Sequence, residues 1–168
     1  MLTKTRLTAA ALAAGLLSTS LVALAPAAQK ASHKGWPQIT GKTDIHQADE
    51  STPMTGTPDK HNELLGGHGN DTITAANIGD VIWGDYKPSG QPTTQKDVLT
   101  GGAGKDFIYA SHGKNTIVTN GGADQVHAHY GRGTITCTSK APLIFLSHRS
   151  QKLYKLHGCP HITFRSSL

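Results

Sequence analysis

Aromatic side chains are scarce in this chain. Phenylalanine, tryptophan and tyrosine make up 5% of its 168 residues, whereas glycine occurs 19 times. Large aromatic side chains dominate the packing of conventional cores, and their scarcity argues against a core of that kind. A fold that stacks short aliphatic side chains in rows fits this composition better.

Long apolar runs are also rare. The one candidate, Leu7 to Leu24, follows Lys4 and Arg6 and precedes Ala25-Pro26-Ala27, an A-x-A cleavage pattern. We predict a signal peptide over residues 1–27, and hence a secreted, extracellular protein, free or associated with the cell surface. The alternative, a membrane anchor, lacks a stop-transfer charge cluster. No other run is long enough to span a bilayer, so the mature chain is predicted to have no membrane span.

Cysteine and strong charge are in short supply as well. The formal charge of +5 falls to +3 when Lys4 and Arg6 leave with the signal peptide. This mild excess is compatible with an anionic partner but specifies none, and we expect no nucleic-acid ligand. Cys137 and Cys159 are the two cysteines. In an exported chain they predict a disulfide, closing a loop of about 20 residues and adding about 2–4 kcal/mol of stability.

The sequence does contain a regular repeat, in which an aliphatic residue recurs every nine positions. Each step in the series is nine residues, except that Ile82 and Leu99 are seventeen apart, which places an eight-residue insertion within the stretch 84–95 (GDYKPSGQPTTQ). This stretch has the composition of a surface loop. The series is Leu64, Ile73, Ile82, Leu99, Ile108, Ile117, Val126, Ile135, Ile144, Leu153 and Ile162.

Two positions before each of these residues lies a second regular column. Its first seven members are aspartate or asparagine, and glycines gather just ahead of them. The column is Asn62, Asp71, Asp80, Asp97, Asp106, Asn115, Asp124, Gly133, Pro142, Gln151 and Pro160. Asp, Asn and Gly are also common turn residues without any metal.

A period of nine predicts a short strand followed by a tight, glycine-dependent turn. Repeated, this unit winds into a solenoid whose rungs pair as parallel strands about 4.8 Å apart. Side chains one repeat apart then face each other across the core, and those two repeats apart stack on one sheet. The alternative, a disordered glycine-rich chain, does not explain an aliphatic residue kept in register over ten steps.

The repeat resembles a known family. GGHGNDTIT (66–74) and GGAGKDFIY (101–109) match the G-G-x-G-x-D-x-U-x nonapeptide of repeats-in-toxin (RTX), hemolysin-type calcium-binding proteins. NIGDVIW (77–83) and NGGADQVH (120–127) match more weakly. The resemblance implies an all-β fold, a parallel β-roll of about five turns, with two nonapeptides in each turn.

The resemblance also implies calcium as the cofactor, bound between stacked turns by aspartate carboxylates and turn carbonyls. It pairs Asp80 with Asp106, Asp106 with Asp124, and less regularly Asp71 with Asp97, whose preceding turn lacks glycine. The glycines implied in these turns are Gly66, Gly67, Gly69, Gly101, Gly102 and Gly104. The last four column positions carry no carboxylate, so calcium is expected only before residue 125.

The remaining segments complete the predicted organisation. Residues 28–60 are expected to form an irregular segment and cap, in which Trp36 and Ile39 make a short strand over the first rung. Residues 61–145 form the roll, and residues 146–168 form basic capping turns. There the disulfide Cys137–Cys159 would substitute for calcium where the aspartates are missing.

Three functions remain open from the sequence. The first is a calcium-stabilised structural or adhesive module at the cell surface. The second is a calcium-independent solenoid that binds anionic polymers through its basic C-terminal face. The third is a polysaccharide-active β-helix enzyme, although no convergent acids or nucleophile motif support it, and we predict no enzymatic activity. The basic face would consist of Lys140, Arg149, Lys152, Lys155 and Arg165.

Overall fold

The structure is a computed structural model that describes residues 35–47, 49–87, 90 and 92–164. The predicted signal peptide and Arg165 lie outside the described residues. The described part contains thirteen β-strands and a short 3-10 helix, Ser150–Lys152, and none of its helices is long and apolar enough to cross a membrane. The strands are β1 Thr43–Ile45, β2 Met54–Thr55, β3 Glu63–Leu65, β4 Thr72–Thr74, β5 Val81–Trp83, β6 Lys96–Thr100, β7 Phe107–Tyr109, β8 Lys114–Thr119, β9 Gln125–Ala128, β10 Arg132–Cys137, β11 Leu143–Leu146, β12 Tyr154–His157 and β13 His161–Phe164.

The strands alternate between two parallel sheets. The seven odd-numbered strands form one sheet and the six even-numbered strands form the other, each in sequence order. One odd strand and the next even strand therefore make one turn of a solenoid. The predicted all-β parallel solenoid is confirmed, but it has about seven turns rather than five.

The core lies between the two sheets and takes Met54 from β2 and one aliphatic side chain of the nine-residue series from each of β3 to β11. Ile162 of β13, which the series also placed in the core, is instead 42% exposed. Leu64 pairs with Ile82 and Ile82 with Ile108 on the odd sheet, while Ile73 pairs with Leu99 on the even sheet. Residues two repeats apart therefore stack on one sheet, as expected. Burying such a side chain contributes about 1.5–3 kcal/mol. The fully buried members are Met54, Leu64, Ile73, Ile82, Leu99, Ile108, Ile117, Val126, Ile135 and Ile144.

The N-terminal segment differs from the expectation. It contributes β1 and β2, whose residues Asp44 and Met54 pair with Leu64 and Ile73. The spacing from Asp44 to Met54 and from Met54 to Leu64 is ten residues, and Asp44 is not apolar, so the nine-residue pattern did not reveal this turn.

The prediction that Trp36 and Ile39 cover the first rung is wrong. They pack instead on the outer face of the odd sheet, against Val81, Phe107 and Tyr109. The Trp36 indole Nε1 donates a hydrogen bond of 2.9 Å to the Tyr109 hydroxyl. The physical reason is that β7 presents two aromatic side chains outward there, and the tryptophan buries its apolar surface against them.

The C-terminal turns are shifted in register. The 3-10 helix Ser150–Lys152 lengthens the connection to β12, so that Leu156 pairs with Ile135 and Tyr154 pairs with Gly133. Leu153, predicted to be in the core, is 46% exposed, and Gln151 is not in the turn column. The register is restored by β13, where Ile162 pairs with Ile144.

The predicted disulfide is present in the structure. Cys137 ends β10 and is bonded to Cys159, which follows the neighbouring strand β12. The bond therefore joins equivalent corners of the last two turns of the even sheet.

Candidate metal centre

One corner of the solenoid stacks Asp80, Asp106 and Asp124 behind Asn62; we call these three aspartates the first column. All three are fully buried. The Oδ1 atom of each accepts a backbone N–H from the preceding turn, at 2.6 Å from Asn62 to Asp80, 2.7 Å from Asp80 to Asp106, and 2.9 Å from Asp106 to Asp124. The repeat thus brings the predicted carboxylates into one continuous row.

The second carboxylate oxygen distinguishes the members of this column. Asp80 Oδ2 accepts the backbone N–H of Ala76 at 2.5 Å, and Asp106 Oδ2 accepts that of Gly102 at 2.6 Å. In Asp124 the corresponding oxygen is buried and has no hydrogen-bond partner among the described residues. A buried oxygen without a partner carries a desolvation penalty, and a cation would relieve it.

The opposite corner holds a second column, formed by Asp71, Asp97 and Asn115. It follows the same geometry, because the Asp71 backbone N–H donates to Asp97 Oδ1 at 3.0 Å. Within the described part of the chain, Asp71 Oδ2 has no hydrogen-bond partner, and Asp97 Oδ2 has none within 3.5 Å, although the nearby Ser111 hydroxyl lowers the pKa of Asp97. The pair Asp71–Asp97 is therefore as well aligned as the first column, although the turn before Asp97 lacks glycine.

Burial controls the electrostatics of both columns. Removal from water disfavours the charged carboxylate. It raises the pKa of Asp106 to about 7 and the pKa of Asp97 and Asp124 to about 6. The pKa of Asp71 is also raised by burial, and His46 opposes this shift. In a protein without metal these sites hold protons more tightly than ordinary aspartates do.

The second column is closed at both ends by residues that sequence reasoning did not select. At its first turn, His46 Nδ1 lies 2.6 Å from Asp71 Oδ1. At its last turn, the Asn115 amide donates to the Tyr154 hydroxyl at 2.9 Å. The register shift before β12 brings Tyr154 here, and the nine-residue pattern contained no signal for that shift.

The six predicted glycines make room for close stacking of the turns. A methyl group at Gly101 would lie 3.0 Å from Asp106 Oδ2 and 3.4 Å from Asp124 Oδ2, and one at Gly66 would lie 2.9 Å from Asp71 Oδ2. Side chains at Gly67, Gly102 and Gly104 would overlap backbone of the preceding turn. Gly69 adopts φ +145°, in the region that favours glycine.

The comparison with protein families matches the same part of the chain. The model of the RTX calcium-binding nonapeptide repeat matches residues 59–82 and 93–126, in four copies. These residues are RTX nonapeptide repeats. RTX nonapeptide repeats bind calcium. Neither the curated proteins nor the solved structures include a significant match to the chain.

The RTX repeats contain both aspartate columns, but the side chains by themselves do not surround a metal position. Among the residues that the structure describes, no three His, Cys, Asp or Glu side chains converge on one point. The oxygens of Asp106 and Asp124 do face one position beside Gly101. Hard carboxylate and carbonyl oxygens are the donors that Ca²⁺ prefers, so the donor set fits calcium when turn carbonyls complete it.

Proposed function

We propose that this protein is a secreted β-roll whose RTX repeats bind calcium between stacked turns and are stabilised by it. The ligands would be Asp106 and Asp124, Asp80 and Asp106, and Asp71 and Asp97, with carbonyl oxygens of the glycine turns completing each site. One observation carries the proposal: within the RTX repeats, Asp71 and Asp124 each bury a carboxylate oxygen that has no described hydrogen-bond partner.

The physical argument concerns like charges in a row. Ionised carboxylates one rung apart, about 4.8 Å, repel each other in a buried environment. Protons relieve this repulsion at low pH, and a divalent cation relieves it at neutral pH. Calcium bound to the folded state alone stabilises that state in proportion to the logarithm of its concentration.

We propose a structural or adhesive role outside the cell rather than catalysis. The A-x-A pattern at Ala25–Ala27 and the disulfide Cys137–Cys159 support export, because disulfides persist in oxidising compartments. Extracellular calcium modules typically have Kd of about 10⁻⁴–10⁻³ M, which suits a roll that orders after export. N-terminal sequencing of protein secreted by an expression host checks cleavage after Ala27; a mature chain that starts at Met1 argues against export by this signal.

Calcium binding is tested by isothermal titration calorimetry on chelator-treated protein. Wild type should bind two or three ions. Asp124→Asn should remove at least one of them, because it neutralises a carboxylate while it keeps the side-chain volume. Asp44→Asn is the matched control, since Asp44 is 39% exposed and bonds Lys42 outside the columns. Equal stoichiometry in all three proteins contradicts the proposed ligands.

A further inference from the structure

A second site is suggested by a pocket at the end of the second column. The cavity has a volume of about 230 Å³, and its lining includes Thr93, His112, His129, Tyr130, Arg132 and Arg149. It lies where the short turn 129–131 (HYG), between β9 and β10, replaces the glycine-aspartate turn of the earlier repeats. The same corner that stacks Asp71 and Asp97 thus ends in cationic and aromatic side chains.

The pocket is electrostatically positive at its mouth. Arg132 and Arg149 are exposed, and no described carboxylate forms an ion pair with either of them. One nearby carboxylate, that of Asp85, acts on His112 but bonds His68 Nδ1 at 2.8 Å. Two guanidinium groups beside one small cavity are suited to an oxyanion, because each offers a planar fork of N–H donors.

A row of cations leads away from this pocket along the roll. Lys96, Lys114 and Arg132 are paired in register on β6, β8 and β10, and all three are exposed. Like charges directly opposite each other on neighbouring strands are destabilising. A negatively charged chain laid along the row would remove that repulsion.

The pocket also presents an aromatic surface. The Tyr130 ring is 58% exposed and stacks on the His112 ring, with centroids 4.3 Å apart. One face of the ring packs on His112, and the part of the ring that is exposed to solvent can stack against the apolar face of a sugar. The disulfide Cys137–Cys159 indicates an oxidising compartment, where polysaccharides are commoner polyanions than nucleic acids.

We propose that this pocket binds an oxyanion group of an anionic polysaccharide, whose chain runs along Lys96, Lys114 and Arg132. The site differs from the basic face expected from the sequence, with which it shares Arg149. It contains none of the proposed calcium ligands. The shared chemistry of the ligand is a sulfate, phosphate or carboxylate group carried on a linear sugar chain.

The test measures binding of a heparin-derived hexasaccharide to the whole mature protein in saturating calcium. Arg132→Gln with Arg149→Gln should weaken binding by about tenfold or more. The control pair, Lys140→Gln with Lys155→Gln, removes the same charge from the basic face outside the pocket and should change binding by less than about threefold. Circular dichroism of every variant in calcium verifies that the roll is intact.

A second pair of measurements separates the pocket from the row. Lys96→Gln with Lys114→Gln should weaken binding of the hexasaccharide but leave binding of inorganic sulfate unchanged, because sulfate occupies only the pocket and does not reach the row. This pair also tests the proposal if the arginine variants fail to fold. Polygalacturonate and single-stranded polyuridylate are the comparison polymers; the first tests whether carboxylates replace sulfates.

Three results would overturn the proposal. Equal weakening by the pocket and control pairs would mean diffuse attraction to a basic surface. Inorganic sulfate binding as tightly as the hexasaccharide would mean a simple anion site. Polyuridylate binding more tightly than both sugar polymers would mean a nucleic-acid surface. Normal calcium stoichiometry in the same samples keeps each of these results separate from a failure of the calcium proposal.

Discussion

The backbone amide of Asp106 donates a hydrogen bond of 2.9 Å to the carboxylate of Asp124, the equivalent aspartate one turn later. The same bond recurs from Asp80 to Asp106, at 2.7 Å. Each buried carboxylate therefore fixes the position of the turn before it. The register of the roll and the spacing of its anionic groups are consequently set by the same side chains.

Asp106 is the aspartate whose loss should be most damaging, because it belongs to two pairs. Asp106→Ala removes an acceptor for the amides of Asp80 and Gly102. Leaving buried donors unpaired costs about 1–3 kcal/mol each, and the lost charge should abolish calcium stabilisation of the first column. Thermal unfolding with and without calcium measures both effects. An Asp106→Ala protein that gains as much stability from calcium as wild type would contradict this assignment.

Metal-free protein should be more stable at acidic than at neutral pH. Burial raises the folded-state pKa of Asp106 to about 7 and of Asp97 and Asp124 to about 6, above the ordinary value of 3.8. A raised carboxylate pKa means that the folded state binds protons more tightly, so stability is lost as pH rises from about 4 to about 7. Each of these groups lowers the free energy of unfolding by at most about 1.4 kcal/mol for each pH unit of increase.

The measurement is urea unfolding in chelator across this pH range. Calcium competes with these protons, so its stabilising effect should grow with pH over the same interval. Metal-free stability that rises with pH between 4 and 7 would show that these carboxylates are ionised without cost in the folded state.

Gly102 should tolerate no side chain. A methyl group there would overlap the carbonyl oxygen of Ala76, so the two turns would have to separate. Gly121→Ala is the matched comparison, since Gly121 has φ +124° but nothing lies within 4 Å of an added methyl. The comparison substitution should cost only its backbone strain, about 1–3 kcal/mol, and Gly102→Ala should cost more. Chemical denaturation of both proteins in calcium measures the difference, which disappears if stacking of the turns is loose.

The disulfide should stabilise the calcium-free end of the roll. Replacing Cys137 and Cys159 by serine opens a loop of 22 residues, which costs about 2–4 kcal/mol in the chain-entropy model. Hydrogen exchange should show the loss mainly in β10 to β13, which adjoin the columns at Asn115 and Asp124 but contribute none of the proposed aspartate ligands. Calcium stoichiometry should be unchanged; loss of calcium binding on reduction would mean that the two ends of the roll are coupled.

Most of the roll could be predicted from the sequence, because in a regular solenoid the position of a residue follows from its place in the nine-residue repeat. Leu64 to Ile144 occupy the core positions expected, and Asp80, Asp106 and Asp124 form the expected column. Counting failed where the period changed. The ten-residue spacings around Met54 and the 3-10 helix Ser150–Lys152 altered the register, and although both segments differ in composition from the repeats, composition does not say by how many residues the register shifts.

For the same reason, the sequence predicted some parts of the candidate sites and not others. Carboxylates in the column follow from the nine-residue spacing. His46 and Tyr154 reach the second column from irregular segments, and the pocket at Arg132 and Arg149 combines turns that are far apart in sequence. Such contacts depend on how loops fold back on the solenoid, which a local repeat does not encode.

The most direct test of the central claim is far-UV circular dichroism of chelator-treated mature protein during a calcium titration, with calorimetry of the same samples. The account predicts that strand signal and unfolding temperature rise with calcium and saturate at two or three ions, with Asp106→Ala the least responsive variant. A protein that is fully folded in chelator at neutral pH, with an unfolding temperature that calcium does not change, would contradict it.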